Sequence, residues 1–193
     1  MNVAVKLPPM MTVADFLDWP GDGTNTRYEL VDGVLRAMAA ASDTHNTIYS
    51  TFLRLIGNHL EKHHPNCRVV GTPGIQPNVR AKWNFRQPEL VITCTPNRPS
   101  VHMTPHPIVV VEVLSPSNAA DTYENVRAYT TIPSVKEIFV VHSTELKVER
   151  LARGPDGNWP PDAEMIEAGG ALRIASFDCE WPIESLYANT HLV

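Results

Sequence analysis

A mixed α/β (α+β) fold, a central β-sheet flanked by helices, is what this sequence predicts, and three observations carry the expectation. The run "PIVVVEVLS" at 107–115 is aliphatic on both alternating faces, as a strand covered on both sides must be. Behind it "NAADTYENVRAY" turns Tyr123, Val126 and Tyr129 or Thr130 to one face at helical spacing. Then "KEIFVV" returns as a second buried strand, so the order strand, helix, strand is a candidate right-handed crossover.

The other elements follow in chain order. "TVADFLDWP" has Thr12 as an N-cap, apolar Val13, Phe16 and Leu17 at helical spacing, and Pro20 beyond its end, which makes a short amphipathic helix. "RYELVDGVLRAM" alternates around Asp32-Gly33, a dipeptide that accepts the positive φ angles of a tight turn, and predicts a two-stranded hairpin. "DTHNTIYSTFLRLIGNHLEKHH" lines up Ile48, Phe52, Leu55, Ile56 and Leu60 and ends in Lys62, His63 and His64, where cations suit the helix dipole. Strand-like runs follow at "CRVVG", "GIQPNVR" and "ELVITC". After the crossover helix, which begins at Ser117 or Asn118, "LKVERLARGPDGNW" predicts a strand and a Pro-Asp-Gly turn, and "FDCEWPIESLYA" a short closing helix or turn.

The 193 residues fit one domain, 1–193, with its core at about 11–187, and 43% hydrophobic with 19% charged residues is ordinary globular usage. A formal charge of −5 gives no general attraction to polyanions, so nucleic-acid binding would need a local basic patch. Cys67, Cys94 and Cys179 are far apart and odd in number, which suggests neither a disulfide framework nor a zinc site and makes a reducing cytoplasm the simplest setting. No apolar run reaches the roughly 18 residues of a membrane span, and the first residues lack the layout of a signal peptide.

One residue resists this account. Glu112 puts a charge inside the most aliphatic strand, and an unpaired carboxylate there costs several kcal/mol. Either it shares a divalent cation with Glu89, which opens the strand "PELVITC", or it meets an arginine such as Arg80, Arg86 or Arg127, or it faces solvent on an edge. Arg80, Lys82, Arg86 and Arg98, with Trp83 and Phe85 among them, are candidates for phosphate contact and stacking beside Glu89. His102 and His106 are separated by a proline and do not read as a zinc pair; Asp121 reads as first-turn acid of the crossover helix.

Taken together, "MTVADFLDWP", "RYELVDGVLRAM", the histidine of "SDTHNTI", "RQPELVI", "VVVEVLSPSNAADTYENVRAY" and "IPSVKEIFVV" resemble the Uma family of restriction-endonuclease-like proteins, a branch of the PD-(D/E)xK nuclease superfamily, from about Met11 to Leu186. The resemblance implies a restriction-endonuclease-like fold and a Mg²⁺- or Mn²⁺-dependent DNA endonuclease, a homodimer in the cytoplasm. Glu89 then takes the position of the first acid and Glu112 the second, with Glu29 a further metal-binding acid and His45 the family histidine. Two departures stand out: Glu89 is glutamate where aspartate is usual, and Asn125 of "ENVRAY" holds the position of the lysine. Arg127, about 200° around the helix from Asn125, points away, and Lys136 is remote. The departures imply a weakened or lost nuclease site, and the alternative is a catalytically inactive protein that binds or assembles on the retained fold.

Overall fold

The computed structural model describes residues 10–99 and 102–193. Much of the leader that argued against an export signal lies outside them. Among the described residues no helix is long and apolar enough to cross a membrane.

The helices are α1 (Val13–Asp18), α2 (Asp43–His63), α3 (Ala119–Tyr129) and α4 (Ile183–Leu186), and the first starts where its Thr12 cap predicts. Thr12 and Asp15 form a reciprocal capping box on α1, and Ser42 Oγ accepts from His45 N on α2. Helix α3 follows a 3₁₀ turn at Pro116–Asn118, and its cap residue Asn118 turns its amide back to Ser115 N rather than into the helix.

Six strands form the central sheet in the order β3 (Arg68–Gly71), β4 (Leu90–Thr93), β5 (Val109–Leu114), β6 (Glu137–His142), β7 (Lys147–Ala152), β8 (Glu164–Glu167). Only β5 and β6 pair in parallel, which is the crossover through α3. All six residues of β5 are buried, as a strand with both faces covered requires. Its alternation sorts the faces: Val109, Val111 and Val113 pack with Ile48, Phe52, Ile56 and Leu60 of α2, while Val110 and Leu114 pack with Val126 and Tyr129 of α3. Glu112 shares the parity of Val110 and Leu114, and therefore points to the α3 side.

The hairpin β1 (Tyr28–Val31) and β2 (Val34–Ala37) is a separate two-stranded sheet. Asp32 and Gly33 have φ of 50° and 86°, the left-handed pair the sequence asked for. The hairpin is tied to the rest by mutual Leu30–Phe85 backbone bonds of 2.9 Å and by a third apolar cluster of Met11, Val13, Leu30, Leu35 and Phe85.

Three expectations change. "GIQPNVR" is not a strand: Ile75 alone bridges to Arg86, and Pro77, which has no N–H to give, is followed by Arg80 in the left-handed region. "FDCEWPIESLYA" contains β10 (Cys179–Pro182), which pairs with β9 (Ala171–Ile174), before the short α4. The cysteines are the third. Cys67 and Cys94 form a disulfide, because the antiparallel register that sets Arg68 against Thr93 brings the next two positions together. Cysteine spacing could not reveal a pairing created by strand register, and it no longer argues for a reducing compartment. The bond spans a separation of 27 residues. Reducing it is expected to lower unfolding free energy by about 3 kcal/mol in the chain-entropy account; urea midpoints with and without reductant measure this, and equal midpoints would show that the bond contributes nothing.

Candidate active site

The register between β4 and β5 sets Leu90 against Val111, and one further step brings Glu89 opposite Glu112. Helix α2 begins above this point, so His45 in its first turn reaches Glu89, with Nε2 2.8 Å from Oε1. The hairpin brings Glu29 in from a third direction, and α3 lays Asn125 and Tyr129 across the top. Glu29, His45, Glu89, Glu112 and Asn125 all line one polar cavity of about 120 Å³.

Within the cavity the carboxylates have unequal partners. Glu29 is 4% exposed and satisfied by a backbone amide, an amide side chain and a guanidinium: Gln87 N at 2.7 Å, Asn125 Nδ2 at 3.1 Å to each oxygen, and Arg36 Nη2 at 2.8 Å. Glu89 has one oxygen held by His45. Glu112, 7% exposed, accepts from the Tyr129 hydroxyl at 2.6 Å and, among the described residues, pairs with no arginine. Burial raises its proton affinity well above the ordinary carboxylate range, and the negative charges of Glu29 and Glu89 push the same way, against the pull of the Tyr129 and Asn125 side chains. Tyr129, also fully buried, is raised for the matching reasons, burial first and then the Glu112 and Glu29 carboxylates.

Tyr129→Phe removes the hydroxyl while keeping the ring. We expect a loss of about 1 kcal/mol from the unmet acceptor, together with a higher pH threshold for cation binding. Urea unfolding and calorimetric titration with Mg²⁺ read the two effects, and wild-type values in both would show that Tyr129 does not govern Glu112.

The cation that sequence reasoning did not name is Arg36. Its Nη2 donates to Glu29 and to Asn125 Oδ1, and its Nη1 to Glu124 at 2.7 Å and Asp121 at 3.2 Å. A signal for it existed: with Asp32-Gly33 as the two-residue turn, Glu29 and Arg36 must face each other across the hairpin, and they do.

The expected basic cluster does not form at this site. Arg86 is buried, with its guanidinium donating to Leu30 O, and Phe85 is core. Arg80 pairs with exposed Asp32, and Lys82 lies over Trp83. None of Arg80, Lys82, Arg86 and Arg98 lines the cavity. Among the described residues no three histidine, cysteine, aspartate or glutamate side chains are arranged to hold a metal ion. The donors available to a cation are therefore Glu112 and the oxygen of Glu89 that His45 leaves open, since both oxygens of Glu29 are taken. Two carboxylates with water and a phosphate oxygen are a set that Mg²⁺ accepts.

Residues 13–174 match the model of the Uma2 family, described as "Putative restriction endonuclease". An uncharacterized protein from Synechocystis sp. is 29% identical over 181 residues, covering 93% of this chain and 92% of its own length. Among solved structures, one described as "a putative nuclease belonging to DUF820", from Anabaena variabilis, superposes with a TM-score of 0.71 over 92% of this chain and 98% of that one. At 15% identity that likeness carries the fold.

Proposed function

The chain belongs to the Uma2 family, and from that premise we propose that it is a divalent-metal-dependent DNA endonuclease whose cation is held by Glu89 and Glu112. The observation that carries this reading is the environment of Glu112: a buried carboxyl whose charged neighbours are two more carboxylates, with only neutral groups, the Tyr129 hydroxyl and the Asn125 side chain, to stabilise its charge. A structural carboxylate is expected to meet an arginine or several amides; this one is left with an excess of negative charge that a cation would balance.

The reaction is hydrolysis of a phosphodiester. Water oxygen bonds to phosphorus, the bond from phosphorus to the leaving oxygen breaks, one proton leaves the attacking water and one reaches the departing alkoxide, giving an alcohol and a phosphomonoester. Bound Mg²⁺ or Mn²⁺ would supply the acidity of the water and neutralise charge on the phosphoryl oxygens. The protein's own part is placement. His45 fixes one oxygen of Glu89 and so aims the other, and Tyr129 does the same for Glu112. Glu112 must release its proton before it can serve, so the site favours the cation as pH rises. Glutamate in place of aspartate at 89 moves the oxygens by about an ångström, a displacement that matters for catalysis.

A plasmid-nicking assay with Mg²⁺ or Mn²⁺ tests the reading. Wild type is expected to nick and Glu89→Gln to lose about a hundredfold; intact plasmid with wild type, or equal nicking by Glu89→Gln, would sink it. A second reading is favoured by Asn125 at the lysine position and by the paucity of cation ligands: a nuclease fold kept for binding or assembly. It predicts DNA binding without cleavage, and a homodimer in sedimentation experiments.

A further inference from the structure

The cavity collects Glu29, Glu89, Glu112 and Asp121, and Arg36 is the one arginine or lysine that lines it among the described residues. A phosphodiester approaching such a pocket as an anion meets net repulsion, which a single divalent cation offsets only in part. Among the arginines and lysines of the described residues, Arg36 is the one placed in the cavity to offset the rest.

The guanidinium is divided in a way that suits this task. Its inner nitrogen, Nη2, is fixed by buried Glu29 and by Asn125. Its outer nitrogen, Nη1, faces Asp121 and Glu124, whose side chains are 55% and 42% exposed. Ion pairs to exposed carboxylates contribute little, so the outer pair can be exchanged at little cost, whereas the inner one is anchored. With Nη2 held, Nη1 can still give a charge-assisted hydrogen bond to a phosphate oxygen in place of the two helix-surface carboxylates.

We propose, resting on the nuclease reading above, that Arg36 is the phosphate-contacting cation of this site, anchored through Nη2 on Glu29 and Asn125 and trading Asp121 and Glu124 for a phosphate of the nucleic-acid strand through Nη1. Asn125 is part of the arrangement. Its carbonyl oxygen accepts from the guanidinium, while an ammonium at the same position would repel it. Asn125→Lys alone is therefore expected to impair the protein, and to help only where the guanidinium has been removed.

The test measures affinity for a duplex oligonucleotide in Ca²⁺ by fluorescence anisotropy across a salt series, beside nicking in Mg²⁺. Arg36→Gln would orphan the Glu29 charge, so the double variant E29Q/R36Q removes both, with circular dichroism to check folding. We expect E29Q/R36Q to bind several-fold more weakly and to lose about one unit of salt slope. D121N/E124Q, which frees Nη1, is expected to bind more tightly, and R36Q/N125K to recover binding over R36Q. Undiminished affinity and slope in E29Q/R36Q, or no tightening in D121N/E124Q, would overturn the role of Arg36. If wild type does not nick at all, the nuclease reading fails while the affinity measurements still decide this one.

Discussion

Glu112→Gln is expected to abolish nicking, by about a hundredfold or more, and at the same time to raise the melting temperature of the cation-free protein at pH 8. The two effects have one origin. The buried carboxyl is pushed above its ordinary 4.5 by burial and by the charges of Glu29 and Glu89. Because the folded value lies above the unfolded one, the folded protein keeps a proton that the unfolded chain has released. Its contribution to stability is whole below about 4.5, shrinks as pH rises from there, and is gone above the elevated folded value. Glutamine fills the same space without ionising, so melting temperatures of mutant and wild type should converge at low pH and diverge at high pH. Divalent cation should raise the melting temperature of wild type and leave the mutant unmoved. Curves that stay parallel from acid to alkaline pH, with or without Mg²⁺, would mean that Glu112 is not an ionising cation ligand.

Glu137→Ala should behave in the opposite manner, costing about 3–5 kcal/mol of stability and removing no ligand from the cavity. Glu137 is 2% exposed at the start of β6, and its Oε2 accepts from Arg150 Nε at 3.0 Å and Nη2 at 2.8 Å and from Ala175 N at 3.2 Å. Its Oε1 accepts from Ser176 N at 2.7 Å. Truncation leaves Arg150 with Glu164 alone, strands two backbone amides, and loosens the join between the central sheet and the end of β9. Urea unfolding gives the magnitude; a loss under 1 kcal/mol would show that these donors find water instead.

These two glutamates explain what could and could not be read from the chain. "VVVEVL" and "KEIFVV" both place a carboxylate in a buried strand, and local pattern does not say which one faces a guanidinium and two amides and which faces its own kind. The periodic elements, with Thr12 and Asp32-Gly33 marking ends, were legible because their signals are local. So was the placing of Glu89 opposite Glu112, since neighbouring strands needed only one register. Strands β8 and β9 were missed because they are four residues long with one and two buried positions, too little for a period to register. Cys67–Cys94 and Arg36 depend on pairings made across the fold, although the hairpin turn did contain the Glu29–Arg36 half of the second.

The hairpin that delivers Arg36 also dates the site. Glu112 and its tyrosine are 17 residues apart, inside one crossover, whereas the contacts of Asn125 with Arg36 and Glu29 span 89 and 96 residues. Local contacts close early in folding, and distant ones wait for loop closure. A two-stranded hairpin has little stability of its own, so its amides should exchange with deuterium sooner than those of β5 and β6. Glu112 and Tyr129 are thus set first, and the hairpin's Glu29 and Arg36 arrive last, so that the capacity to grip a phosphate is acquired only when the chain has finished folding.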